Sequence, residues 1–552
     1  KATEYNIKPI LVIDFRNGAD QCFVGIAKNN DGYQELNAFL SAHLHEEKEI
    51  PQRAPKFKHA FIIYPFEKVL LNDQTDFREQ EFIGISIKDL RRLPFSRLVE
   101  KKGKLVVLQP VTFRNKRDFN AHRLLRAIDK NVLLSKLPKE EEADEDEKIF
   151  PIQNLAMAFT EFPFILENTE WLMNSCSIHF DFSKNRIPQN LQTYLGSKEE
   201  DEKLLEQLCR DGLPYRYPGV DQPVLERLEK ELGLIKEKNF VSYFLINWDI
   251  VSKARKKGFF YVGRGSGANS IVAYLLRITD VDPIELDLYF ERFINLYRAN
   301  PPDFDIDFSW RDREEITQYI FDRFDHVCLL GTYVTFKHKG IVRELGKVFG
   351  LPKAEIDVLS DGHYQLSQLD GVSLLVLKYG QLIKGFPNYL SIHAGGILIT
   401  QRPIHYFSAT HLPPKGFATA MFDMVIAEDV GLYKFDILGQ RGLAKIKETL
   451  QILQLNRPEK FHEIDIHNIK SFKEDPCLNQ LIKTAQCMGC FYVESPAMRM
   501  LLKKLEVDNY LGLVAASSII RPGVAKSGMM REYILRHREK GRAEEKGHPV
   551  ML

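Results

Sequence analysis

The sequence predicts a multidomain α/β protein, and three observations carry that expectation. Strand-like and helix-like stretches alternate over residues 5–135. A helical pattern dominates from about residue 200 to 258 and returns after 442. The length, 552 residues, corresponds to about three to four domains.

The elements follow in order. Ile10-Leu11-Val12-Ile13, entered through Pro9, and Ala60-Phe61-Ile62-Ile63-Tyr64 read as buried strands, and Tyr33–Leu40 reads as a helix. Residues 140–147, acidic at every position except Ala143, read as a solvated loop or, more sharply, a binding tail. Leu225, Leu228, Leu232 and Ile235 recur at helical spacing, and Val241–Ala254 forms a second amphipathic stretch. Glycine and proline punctuation is densest between 259 and 310, so the chemistry is expected there.

Composition narrows the function classes. Hydrophobic residues at 44% and charged residues at 27% make an ordinary globular balance. No apolar run reaches the roughly 18–20 residues of a bilayer span. A net charge of +1 excludes a globally basic nucleic-acid coat but leaves room for a local basic channel. From Arg499 onward the chain is locally basic, with Arg521, Lys526, Arg531, Arg536, Arg538 and Arg542. Seven cysteines are sparse and odd in number, which suits a reducing cytoplasm better than a disulfide framework. Lys1-Ala2-Thr3-Glu4 shows no initiating Met and no leader, and the expectation is a chain cut at both ends.

Asp303-Phe304-Asp305-Ile306-Asp307-Phe308 is the most informative stretch. On a strand, Phe304, Ile306 and Phe308 face a core while Asp305 and Asp307 share the other face. Two carboxylates so placed suit hard cations; an edge strand with solvated acids is the competing reading. In Leu432–Leu438, Lys434 and Asp436 share one face. They could complete a two-metal site with a phosphate-facing lysine, or form a surface ion pair. Phe259–Val262 reads as a strand feeding Gly263-Arg264-Gly265-Ser266-Gly267-Ala268-Asn269-Ser270 and then an apolar helical run. Such a turn can present backbone N–H groups to phosphate, or be a tight turn without a ligand. It keeps neither the Walker A nor the dinucleotide-binding spacing.

Gly263–Ser270, Ile278-Thr279-Asp280-Val281-Asp282-Pro283, Phe290-Glu291-Arg292-Phe293 and Pro302–Phe308 follow in one order. His393-Ala394-Gly395-Gly396, Gly431–Leu438, Gly489–Ser495 and Arg521-Pro522-Gly523 come after them. Together they closely resemble the bacterial C-family DNA polymerase, the alpha-subunit family of DNA polymerase III, over nearly the whole chain. The resemblance implies a polymerase-beta-like nucleotidyltransferase palm with Asp305, Asp307 and Asp436 as its catalytic, metal-binding triad for two Mg²⁺ ions. It implies nucleotide contacts from Gly265, Ser266, Arg292 and Lys434. The implied reaction is attack of a primer 3′-hydroxyl on a dNTP with release of pyrophosphate. The implied enzyme is a DNA-directed DNA polymerase of bacterial DNA replication. Primer–template DNA, the sliding clamp and other replisome subunits are the implied partners, with no membrane.

The same resemblance implies a PHP-domain remnant over 1–180, palm over 181–336 and 391–441, a helical thumb insert over 337–390, and helical fingers over 442–552. Lys339 and Arg343, four apart on one helix face, could meet DNA phosphate, or lie on a solvated face. The early His-x-His ligands of the PHP domain are not found here; Asp14 cannot stand in for them, and His122 matches a different, helical position. A working PHP metal site is therefore not expected. Cys487 and Cys490 have zinc-like spacing but no partner pair, and His393 could touch substrate or be structural. The competing functions are error-prone, translesion synthesis, a non-catalytic DNA-binding scaffold, and a PHP phosphoesterase. The chain by itself is expected to polymerise poorly.

Overall fold

The computed structural model describes residues 5–72, 74, 76–183, 186–292, 294, 300–466 and 468–539, without the side chains of Arg292 and Pro522. It is a mixed α/β structure with two sheets, and it divides into two compact units. One comprises Lys1–Ser252, Gly263–Ile306 and Ile316–Ile437; the other comprises Lys253–Val262, Asp307–Glu315 and Leu438–Leu552.

The first sheet has five strands in sequence order: β1 (Val12–Asn17), β2 (Asp20–Ala27), β3 (Ala60–Pro65), β4 (Glu81–Ile85) and β5 (Leu105–Val107). The first three pair antiparallel and the last three parallel. Helix α1 (Asn30–Glu46) begins where the Asn29 side chain accepts the Gly32 N–H. Its Leu36 packs among Phe15, Phe23, Tyr64 and Ile83 on one side of the sheet. Alternate strand residues Val24, Phe61, Ile63, Phe82 and Val106 form a second cluster with Leu172, as the two-residue period of a strand dictates. Helices that follow include α2 (Lys116–Asp129) and α3 (Pro163–Asn174), the latter carrying Leu172.

The acidic run is a loop, but not a free one. Arg126 of α2 and Lys130 just after it bind Glu141, Arg123 binds Glu142 at 2.7 Å, and Lys88 binds Asp144 at 2.9 Å. His122, also on α2, accepts the Ala143 N–H at its Nε2 (2.9 Å). Asp14 accepts from Arg16 and Gln21 at 2.6 and 2.8 Å. Both side chains are engaged in local hydrogen bonds.

Next come α4 (Lys198–Arg216), α5 (Gln222–Glu237), α6 (Val241–Lys256) and the five-residue α7 (Ile271–Leu275). The second sheet collects strands distant in sequence. These are β6 (Tyr261–Arg264), β7 (Asp305–Ser309), β8 (Val327–Thr335), β9 (Pro387–Ile399), β10 (Thr410–His411), β11 (Thr419–Ala420) and β12 (Phe435–Gln440). Their order is β10-β11-β8-β9-β12-β7-β6. Between β8 and β9 the chain makes α8 (His338–Phe349), α9 (Lys353–Asp361) and α10 (Gly371–Ile383). Their Leu345, Val348, Leu359, Val376 and Ile383 share a core with Leu124 and Ala127 of α2.

Two strands start later than their apolar pattern suggests, and local hydrogen bonds give the reason. Asp303 donates its N–H to Ser266 Oγ at 2.9 Å and accepts the Gly267 N–H at 3.0 Å, so its backbone is tied to the glycine turn and β7 begins at Asp305. Tyr433 donates its N–H to Asn190 Oδ1 at 2.8 Å and its carbonyl accepts from Asn190 Nδ2 at 2.7 Å, so β12 begins at Phe435. A buried side-chain amide does there what a neighbouring strand would do.

The other unit is largely helical. It contains α11 (Arg441–Asn456), α12 (Pro496–Leu505) and α13 (Tyr510–Ile519). Cys487, Met498, Leu501, Leu502, Leu505, Val507 and Ala516 form its core. Cys487 is thus core material, while Cys490 is exposed. Lys447 binds Asp312 at 3.2 Å and Arg311 binds Glu448 at 2.8 Å. No helix among the described residues is long and apolar enough to cross a membrane.

Candidate active site

The glycine turn is shaped by close backbone approaches. Gly263 passes the Ile278 carbonyl so closely that a Cβ would lie 1.9 Å from its oxygen. Gly265 adopts φ +96°, and a Cβ there would meet the Asp303 carbonyl oxygen at 2.6 Å. Both positions need glycine for space, and Gly265 also for its backbone angle. Ser266 receives the Asp303 N–H, so the turn is latched to the residue two places before Asp305.

Asp305 and Asp436, separated by more than a hundred residues, come together. Burial, with the nearby Asp436 charge, pushes the Asp305 carboxyl up to about 6 despite the opposing Arg264. Arg264 Nη1 donates to Asp305 Oδ2 at 2.6 Å. Lys434 Nζ donates to Asp436 Oδ2. Burial works to lower the Lys434 pKa, but Asp436, with Asp303 and Asp305, holds it above its ordinary value. Each carboxylate therefore has a protein cation in contact. Asp436 is 5% exposed, and its Oδ1 is buried without a hydrogen-bond partner among the described residues. A buried orphan oxygen on a charged group is costly unless a ligand completes it. That oxygen and the two converging carboxylates are the hard donors a divalent cation prefers, so the residues fit such an ion. Among the described residues, no group of three or more His, Cys, Asp or Glu side chains is gathered closely enough to hold a metal as it stands. Asp307 lies two residues along β7 from Asp305 and is buried.

His393 approaches Asp436 Oδ1 to 4.0 Å. Its Nδ1 accepts the Gly396 and Gly395 N–H groups at 2.8 and 3.3 Å, which leaves the proton of the neutral ring on Nε2. Burial pushes its pKa down, against the pull of Asp436. A Cβ on Gly396 would stand 2.9 Å from that Nδ1, which explains the glycine there. Beside Lys434 opens a cavity of about 240 Å³ lined by Tyr243, Asn300, Pro301, Asp303, Glu428 and Tyr433.

The other sequence-level candidates fall as follows. Lys339 and Arg343 are exposed on α8, and Lys339 binds Asp361 at 3.0 Å. The Arg292 side chain lies outside the described residues, as do Arg542 and the residues after it. Sequence reasoning passed over Arg264, although a cation inside a glycine turn is a visible signal. It also passed over Glu231 and Arg227, for which only a charged pair on an otherwise apolar helix face could have served.

Paired carboxylates and a lysine beside a latched glycine turn are chemically suited to a divalent cation and to phosphate. The comparisons with known proteins specify the family. The family described as the bacterial DNA polymerase III alpha NTPase domain matches residues 203–439, and the bacterial DNA polymerase III alpha subunit finger domain matches 442–551. An error-prone DNA polymerase of Symbiobacterium thermophilum is 32% identical over 457 residues, covering 79% of this chain and 41% of its own. A DNA polymerase III subunit alpha of Bacillus subtilis is 31% identical over 546 residues, covering 90% and 48%. One from Halalkalibacterium halodurans is 28% identical over 577 residues, covering 94% and 50%. The chain belongs to the bacterial DNA polymerase III alpha-subunit family, the C-family polymerases. It spans about half the length of the curated relatives it matches, or somewhat less.

Proposed function

We propose that the whole gene product is a template-directed DNA polymerase that joins a dNTP to a primer 3′-hydroxyl, with Asp305, Asp307 and Asp436 as the ligands of two Mg²⁺ ions. The observation that carries this reading is the meeting of Asp305 and Asp436, with an orphan Asp436 oxygen, in a chain of this family. When bound, the ions would lower the pKa of the attacking hydroxyl and offset charge on the departing pyrophosphate. The chain's own residues do the rest. Arg264 and Lys434, which contact Asp305 and Asp436, bring positive charge to the place where the phosphate oxygens would lie. Gly265 and Ser266 hold the triphosphate against the turn, with Arg292 assisting.

In this reading 181–336 and 391–441 form the palm, 337–390 the thumb, 442–552 the fingers and 1–180 a PHP remnant. The setting is the bacterial cytoplasm, with the sliding clamp and replisome subunits as partners. A second reading, error-prone synthesis, draws support from the Symbiobacterium thermophilum relative. The test is Mg²⁺-dependent primer extension by the whole gene product, with and without Asp305. No extension by the unaltered protein would overturn the reading.

Lys339→Ala and Arg343→Ala should each weaken primer–template binding uniformly across sequences, lowering the log–log salt slope by about 1 for each phosphate no longer neutralised. Arg343 should show the fuller effect, because Lys339 already has Asp361 as a partner. Anisotropy titrations at several salt concentrations measure this, and an unaltered slope removes that residue from the DNA interface.

A further inference from the structure

Glu231 lies on α5 with no exposed surface, and the chemistry above makes no use of it. A carboxylate so buried is costly unless its oxygens are bonded. Its Oε1 accepts Arg227 Nε at 2.6 Å, one turn back on the same helix. Its Oε2 accepts the Ser270 hydroxyl at 2.7 Å and, at longer range, the Val272 N–H at 3.5 Å. Ser270 closes the glycine turn and caps α7, its own Oγ accepting the Ala273 N–H at 3.2 Å. Arg227 Nη2 donates to the Leu288 carbonyl at 2.9 Å and to the Asn269 carbonyl at 3.4 Å. Its guanidinium also lies over the Phe290 ring, 5.7 Å from the centroid. One ion pair on one helix thus grips the exit of the glycine turn and the stretch that leads into Arg292.

A brace meant only to pack two helices would be as stable, or more so, with apolar side chains. What a charged pair adds is direction, and the bonds of this one end on the two segments assigned to the triphosphate. The carboxylate also occupies the electropositive start of α7. The triphosphate is thereby left with donors earlier in the turn, around Gly265 and Ser266.

We infer that Glu231 and Arg227 are positioning residues for the incoming nucleotide: they fix the spacing between the Gly263–Ser270 turn and the Leu288–Arg292 stretch, and so set triphosphate affinity without touching it. This rests on the polymerase reading above. Burial pushes the Glu231 carboxyl up to about 7, against Arg227 and Ser270. The groups facing it are Arg227 on its own helix, the neutral Ser270 hydroxyl, and Cys209 of α4, whose thiol burial pushes up to about 12. Lys230, a neighbour on α5, is paired with Glu291. The Glu231 carboxyl is therefore mostly ionised at pH 8 and mostly protonated at pH 6.

The test is single-nucleotide incorporation by the whole gene product at pH 8. Glu231→Gln should raise KM for the dNTP about tenfold with kcat held within about twofold. Primer–template affinity and melting temperature should stay at the wild-type level. At pH 6, where the wild-type carboxyl is itself protonated, the gap between the two proteins should close. Arg227→Lys, which keeps the charge but loses the fork, should show an intermediate KM. An unmoved KM, a KM that rises only together with a fallen melting temperature, or a gap independent of pH would each overturn the role. If Asp436→Ala abolishes extension while Glu231→Gln leaves KM unmoved, the positioning role alone fails. If the unaltered gene product extends no primer at all, the polymerase assignment beneath it fails.

Discussion

Asp436→Ala and Asp305→Ala are each expected to abolish primer extension, by at least about 10³-fold in single-turnover rate, while the protein still folds. Asp436 is 5% exposed and bonded through Oδ2 to Lys434, while its Oδ1 has no hydrogen-bond partner among the described residues. A structural acid at that depth would be expected to have both oxygens bonded. Removing Asp436 leaves Lys434 near Asp303 and Asp305, so the lysine keeps negative neighbours. The reverse change is the harsher one for folding. Lys434→Met strands a buried carboxylate and should cost about 3–5 kcal/mol in EDTA, with Mg²⁺ recovering part of the loss. Extension by either alanine variant within tenfold of the wild type would remove that carboxylate from the chemistry.

Asp305 adds a pH signature. Its folded-state pKa, about 6, lies above the ordinary aspartate value of 3.8. The folded protein therefore holds this proton more tightly than the unfolded chain. The contribution to stability is full below about pH 4 and is lost as pH rises through 6. In EDTA, the wild-type melting temperature should fall across that window more steeply than that of Asp305→Ala. Parallel curves would show that Asp305 and Asp436 do not share their charge burden in solution.

Much of this was legible in the sequence because it is local. The 3.6-residue spacing of Leu225, Leu228, Leu232 and Ile235 placed a helix where α5 runs, and Ala60–Tyr64 marked β3. The alternation around Asp305 and Asp436 put each carboxylate on a face away from its apolar neighbours. What escaped depends on pairing between distant segments. Nothing in Arg264 itself says that it will lie on Asp305, and nothing in Asn190 says that it will satisfy both backbone groups of Tyr433. The glycine turn shows the same limit. Its sequence suggested a phosphate cradle at a helix start, yet α7 has five residues and Glu231 already occupies its first turn.

Gly265→Ala should be severely damaging although it touches no charge. At φ +96° any side chain is strained, by about 1–3 kcal/mol. The added methyl would also stand 2.6 Å from the Asp303 carbonyl oxygen, backbone against backbone, with no flexible side chain to give way. Relief requires the turn and Asp303 to part, which breaks the Ser266–Asp303 latch and shifts the start of β7, where Asp305 is held. Triphosphate affinity and catalysis should therefore fall together, with kcat/KM down at least about 10²-fold, since small misplacements of a positioned group are amplified in rate. Gly340→Ala is the control: it lies in α8 with nothing within 4 Å of the added methyl, and should stabilise the helix by about 0.5–1 kcal/mol. A Gly265→Ala protein with wild-type kcat/KM would mean that the turn is not where the nucleotide is held, and the reaction would have to be sought on another surface.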